Sequence, residues 1–134
     1  MTDKQGTVYA LKGEIESGRN AVMKDLQKML EMLYLDGKSA SLGIIQCKNG
    51  KKVGVETTCD KHEYLQSQLE YFKRQKCNVI FCPCCTKGRT IGIVDSMKDF
   101  YSIVYVEYTA ESGFPFLESG FREQAHELRI KAGL

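Results

Sequence analysis

At 134 residues and 43% hydrophobic content, the chain has the material for one ordinary core and reads as a single domain, 1–134. Its 19 basic and 17 acidic side chains nearly cancel to a formal charge of +2, which argues against a dedicated footprint for nucleic acid or an anionic membrane. No window approaches the ~18 uninterrupted apolar residues of a membrane span, and the polar opening MTDKQG lacks the apolar core of a signal peptide, so a soluble, cytoplasmic protein is expected.

In chain order, TVYALKG reads as a strand that runs into a Gly-bounded turn. Val22, Leu26, Met29, Leu30 and Leu33 then recur at helical spacing on one face, and the helix is expected to stop near Asp36–Gly37, because glycine readily takes the left-handed conformation after a helix end. SLGIIQC and KVGVETT flank Lys48-Asn49-Gly50-Lys51, and Asn-Gly between two β-rich runs predicts an antiparallel hairpin. Asp60 is placed to cap a second helix, whose apolar stripe is Leu65, Leu69 and Phe72 and which runs to about Lys76.

CNVIFC follows as a nearly continuous apolar strand, the pattern of a strand covered on both faces. The turn residues Thr86 to Thr90 break it, IGIVDSMKDF makes a short helix, and YSIVYVEYT is the last strand. Beyond Gly113-Phe114-Pro115, the segment from Glu118 to Lys131 is helical, with Phe121, Ala125 and Leu128 on one side. Strands alternating with helices in this way imply an α/β fold: a three-layer α/β/α sandwich with a mostly parallel sheet and one antiparallel hairpin. In such a sheet ligands sit beyond the carboxyl ends of the strands, which directs attention to the loops after TVYALK, KVGVETT and CNVIFC.

The cysteines are Cys47, Cys59, Cys77, Cys82, Cys84 and Cys85. They read as reduced thiols, and core or strand-end packing is the leading account of them. The run FCPCC offers C-x-C-C without a second knuckle, so a metal site built from Cys82, Cys84 and Cys85 with Cys59 or His62 is the lesser alternative. His62 and His126 fall on helices among charged residues and are expected on solvated faces.

The first loop carries Gly13-Glu14-Ile15-Glu16-Ser17-Gly18-Arg19-Asn20, with the spacing G-x-x-x-x-G-[basic]-[polar] between a strand and a helix. Such spacing lets successive backbone N–H groups curl around a phosphate while the helix presents its N-terminal amides. Here the chain resembles the P-loop NTPase superfamily, whose motif is G-x-x-x-x-G-K-[ST]. From about Thr7 to Val106 it is similar to small bacterial and phage P-loop proteins that carry an Asp-bearing second loop and a T-x-G-x-T-type third loop. Arg19 and Asn20 stand where the motif has the phosphate-binding lysine and the Mg²⁺-binding hydroxyl. Glu14 and Glu16 add negative charge where a polyphosphate needs the opposite sign, so reduced phosphate affinity is expected.

The resemblance implies a nucleotide-binding role for Gly13, Glu16, Ser17, Gly18, Arg19 and Asn20. It puts Asp60 at the position of an acidic residue near the metal or attacking group, and brings Lys87 and Arg89 to the phosphates, Arg89 meeting the developing charge. The residues alone give Asp60 a helix cap and Lys87 and Arg89 a solvated turn. Three functional expectations follow. The first is weak binding of ATP or GTP with Mg²⁺, or of another phosphate ligand, with altered phosphotransferase or NTPase activity. The second is a degenerate, inactive scaffold for a protein partner or a homodimer. The third is a cysteine-based metal or redox site.

Overall fold

The computed structural model describes residues 4–14, 18–47, 50–109 and 117–134, with side chains in the last stretch described from 120 onward. Strand β1 (Gly6–Lys12) leads to helix α1 (Arg19–Tyr34), then to the short strands β2 (Ile44–Gln46) and β3 (Lys52–Val55). Helix α2 (His62–Arg74), strand β4 (Val79–Cys84), helix α3 (Arg89–Asp95), a 3₁₀ turn (Ser96–Asp99), strand β5 (Tyr101–Glu107) and helix α4 (Leu117–Lys131) complete the chain.

The strands hydrogen-bond in the order β2-β3-β4-β1-β5. β1 runs parallel to both β4 and β5, β3 runs parallel to β4, and β2 pairs antiparallel with β3 to make the expected hairpin. The hairpin tip residues Lys48 and Asn49 lie outside the described residues, as do Gly113, Phe114 and Pro115. Gly50 has φ 84, the left-handed conformation the turn requires.

Side-chain alternation along the strands sorts the core into two clusters, one on each face of the sheet. Leu11, Val79 and Phe81 point to the face covered by α1 and α4, where they meet Val22, Met23, Leu26, Leu30, Ala125 and Leu128. Val8, Ala10, Ile80 and Cys82 point to the other face and meet Leu65, Leu69 and Phe72 of α2 and Val94 of α3. All six residues of β4 are buried, which accounts for its nearly unbroken apolar sequence. Each fully buried aliphatic side chain of this kind stabilises the fold by about 2 kcal/mol. Gly54 of β3 is small for a local reason, since a Cβ there would lie 2.6 Å from the ring of Phe72.

Pro83 sits inside β4 without breaking the sheet. The β3–β4 register ends at Val55 opposite Phe81, whose carbonyl still accepts from the amide of Glu56 at 2.9 Å. Residues two apart present their backbone groups to the same neighbour, so the nitrogen of Pro83 faces the β3 side beyond the last rung. No ladder bond is lost there.

Three expectations are corrected. The buried stripe of α1 is Val22, Met23, Leu26 and Leu30, whereas Leu33 is 48% exposed, because the stripe turns toward Met23 to meet α4. α2 ends at Arg74, with Lys76 in the left-handed region at φ 59 to turn the chain into β4. Asp60 does not cap α2; the cap position is Lys61, which is extended and makes no side-chain cap bond, and Asp60 is exposed.

Candidate functional site

β1 and β4 are neighbours, yet α1 leaves β1 for one face of the sheet and α3 leaves β4 for the other. Their carboxyl ends therefore bound a crevice at a topological switch point, the place where open α/β sheets hold ligands. Three loops meet there: the first, described at Gly13, Glu14 and Gly18, the second from Glu56 to Lys61, and the third from Cys85 to Gly88. The Gly13 amide donates to the Cys84 carbonyl at 3.0 Å, and the Thr86 hydroxyl donates to Glu14 Oε1 at 3.0 Å, which pins the third loop against the first.

Arg19, the first residue of α1, lies at the centre of this junction and is only 3% exposed. Its Nη1 donates to the backbone carbonyls of Gly13 and Glu14, both in the first loop. Its Nη2 donates to Cys59 Sγ at 3.0 Å in the second loop and to Cys85 Sγ at 3.5 Å in the third. One guanidinium thus binds all three loops. The fork that the sequence suggests for phosphate is already engaged by carbonyls and sulfurs of the chain itself.

Two buried polar atoms of the first helical turn, Arg19 Nε and Asn20 Oδ1, have no hydrogen-bond partner among the described residues. Gly18 caps α1 with φ 105, and a Cβ there would stand 2.6 Å from the Tyr108 hydroxyl and 2.7 Å from the Phe121 ring. Packing against Tyr108, the residue after β5, and Phe121 of α4 accounts for this glycine without a ligand. Ile15, Glu16 and Ser17, and with them most of the amides expected to line a phosphate cradle, lie outside the described residues.

Of the other sequence candidates, Lys87 and Arg89 are exposed, and neither makes a hydrogen bond or an ion pair among the described residues. Asp60 is exposed beside Cys59, whose thiolate its charge disfavours. The crevice thus brings Gly13, Arg19, Cys59 and Cys85 into one network and leaves Asp60, Lys87 and Arg89 at its exposed rim. His62 opens α2 and is half-buried, and His126 is exposed on α4 within 3.1 Å of Arg129.

Sequence reasoning missed three contributors. Glu56 is 5% exposed, and its Oε2 accepts from the amide of Thr58 at 3.0 Å and from its hydroxyl at 3.3 Å. The Glu-x-Thr spacing that permits this self-contained turn is visible in ETT. Thr90, 1% exposed, accepts from the Cys85 amide through its hydroxyl at 3.0 Å, fixing the third loop onto α3. Thr86 supplies the link to Glu14, which no short-range pattern announces.

Burial dominates the thiols of this region. It raises Cys59 above its ordinary pKa, although the Arg19 guanidinium pulls the other way. Burial pushes Cys84 up to about 11 against a hydrogen bond from Thr90, and it raises Cys82 as well. Among the described residues, no group of three His, Cys, Asp or Glu side chains is arranged to hold a metal ion. No helix there is long and apolar enough to cross a membrane. A hollow of about 180 Å³ opens at Glu56 and Thr57 beside the second loop, between Gln27 of α1 and Gln68 of α2. A larger apolar hollow of about 410 Å³ lies away from the three loops, between Val106 of β5 and Leu128 of α4. No family model matches the chain, and searches of curated proteins and of solved structures found no match.

Proposed function

We propose that the domain is a three-layer α/β/α protein of P-loop NTPase type that binds a phosphate ligand, such as ATP or GTP, weakly at the crevice between β1 and β4. The observation that carries this reading is the meeting of the first, second and third loops around Arg19 at the switch point of the sheet. The position of β1 between β4 and β5, with α1 and α4 on one face and α2 and α3 on the other, supports the fold assignment.

The residues fit a phosphate group in part. Lys87 of the third loop and Arg89, the first residue of α3, are exposed cations and would face it; Arg19 would hold the three loops together instead of gripping the ligand. Asn20, whose buried Oδ1 has no partner among the described residues, is the side-chain oxygen that would serve a Mg²⁺ accompanying the ligand. When bound, that ion would neutralise charge on the phosphates.

A thermal-shift titration with ATP, GTP and pyrophosphate, with and without Mg²⁺, tests the reading. Ligand at ~100 times its dissociation constant adds ~2.7 kcal/mol of stability, and Lys87→Ala with Arg89→Ala should reduce that gain. No shift at millimolar ligand would sink it.

A second reading is favoured by a specific observation. The engaged fork of Arg19 and the Glu14 carboxylate at the rim both oppose an incoming polyphosphate. They suit a catalytically inactive scaffold for a protein partner or a homodimer, which predicts no response to any nucleotide.

A further inference from the structure

We propose that Cys59 and Cys85 form a reversible dithiol pair that closes to a disulfide when a peroxide reaches Cys85, and that closure uncovers Arg19. Both sulfurs accept from the same Nη2, so they lie no farther apart than those two contacts laid end to end. Neither cysteine is held in a ladder: Cys59 follows the end of β3 by several residues, and Cys85 is the first residue past β4. Rotation of the two side chains and a modest loop adjustment can bring the sulfurs to the ~2.05 Å of a disulfide.

The pair is asymmetric in a useful way. Cys85 is partly exposed, while Cys59 is 2% exposed and sits behind it. Cys85 therefore meets the oxidant and Cys59 resolves the product. The alternatives are poorly placed. Cys84 is fully buried with its thiol directed to the Cys85 carbonyl at 3.2 Å; Cys82 shares the buried cluster of Cys59 but is wholly enclosed within β4, and Cys47 and Cys77 lie at other places in the core.

The chemistry closes without a cofactor. The Cys85 sulfur, as thiolate, attacks hydrogen peroxide, forming an S–O bond as the O–O bond breaks; the expelled hydroxide takes a proton and leaves as water. The Cys59 sulfur then attacks the Cys85 sulfur, forming the S–S bond, and the sulfenic hydroxyl departs as a second water with the proton Cys59 gives up. Two thiols lose two electrons in total, and one peroxide accepts them.

Arg19 registers the change. Joined sulfurs are neutral, poor acceptors, and the guanidinium keeps only the carbonyls of Gly13 and Glu14. A buried cation that loses half its partners is strongly disfavoured where it stands, so the side chain moves toward water. Two thiols and one arginine suffice for this response, whether or not the crevice takes a phosphate.

The test uses the full chain, reduced and desalted, then treated with hydrogen peroxide, quenched with N-ethylmaleimide and mapped by mass spectrometry. The expected product is a peptide linked through Cys59 and Cys85, lighter by two hydrogens and restored by dithiothreitol. Phenylglyoxal should modify Arg19 in the oxidised protein and spare it in the reduced one. Cys59→Ser should let Cys85 proceed to the sulfinic acid, and Cys85→Ser should abolish the linked peptide. A bridge between Cys84 and Cys85, over-oxidised Cys85 in the unmutated protein, or a Cys59–Cys85 bridge with Arg19 still protected would each overturn the proposal. If either variant fails to fold, the map of the unmutated protein decides alone.

Discussion

Arg19 and Cys59 stand 40 residues apart in the chain and 3.0 Å apart in space, guanidinium nitrogen to sulfur, with both side chains almost wholly buried. That contact ties the first turn of α1 to the loop after β3, and the same side chain binds two carbonyls of the first loop. Arg19→Ala should cost about 2–4 kcal/mol in urea unfolding, because buried acceptors left unpaired each forfeit their desolvation. Arg19→Lys should recover less than half of that loss, since an ammonium cannot span four acceptors arranged around a planar fork. A change within experimental error for the alanine variant would contradict the latching role.

Gly18→Ala should be destabilising on two independent grounds. The residue has φ 105, where a Cβ is strained, and that Cβ would stand within 3 Å of Tyr108 and Phe121. A loss of about 2–3 kcal/mol is expected in chemical denaturation. Pairing it with Phe121→Ala should give less than the sum of the two losses, a non-additivity that a purely backbone effect would not produce.

The Tyr101 hydroxyl donates to the Cys77 carbonyl at 2.7 Å in the interior. Burial pushes its pKa up to about 12, so it stays a donor across the working range. Tyr101→Phe should cost about 1–2 kcal/mol by orphaning that carbonyl, measured as a shift of the urea midpoint with an unchanged slope.

Alkaline pH should weaken the fold. Burial holds Cys77 and Cys84 protonated up to about 11, against an ordinary value of 9.0, and Cys47, Cys59 and Cys82 move in the same direction. Above pH 9 the unfolded chain sheds protons that the native one keeps, which draws the equilibrium toward unfolding. The thiol contribution is therefore whole below that pH and is lost as pH rises through about 11. Urea midpoints under reductant should be level between pH 7 and 8 and fall steadily by pH 10.5; a flat profile would refute the assignment.

The alternation of strands and helices was legible because it is written at short range: the β-branched and aromatic run YSIVYVE, the Asn-Gly turn, and the stripe of Leu65, Leu69 and Phe72 all persist in the fold. The gathering of the loops after β1, β3 and β4 was legible too, since it follows from a parallel sheet with helices leaving on opposite faces. The inward turn of Arg19 was not legible. Its sulfur partners lie 40 and 66 residues away, and no local pattern says whether a cation at the end of a glycine-bounded loop faces a ligand or the chain. Asp60 illustrates the same limit in reverse: its capping propensity is real, but α2 begins one residue later than that role requires, with Lys61 extended at the boundary.

Pro83 has a reach beyond its own strand. Because its nitrogen carries no hydrogen on the side where β3 runs, the pleat offers β3 no further foothold after Val55. Past the Glu56 amide, which still reaches the Phe81 carbonyl, the chain leaves the sheet at that notch and runs on to Cys59 beside Arg19. A single absent amide hydrogen thereby marks the point at which the chain parts from the sheet and turns toward the junction.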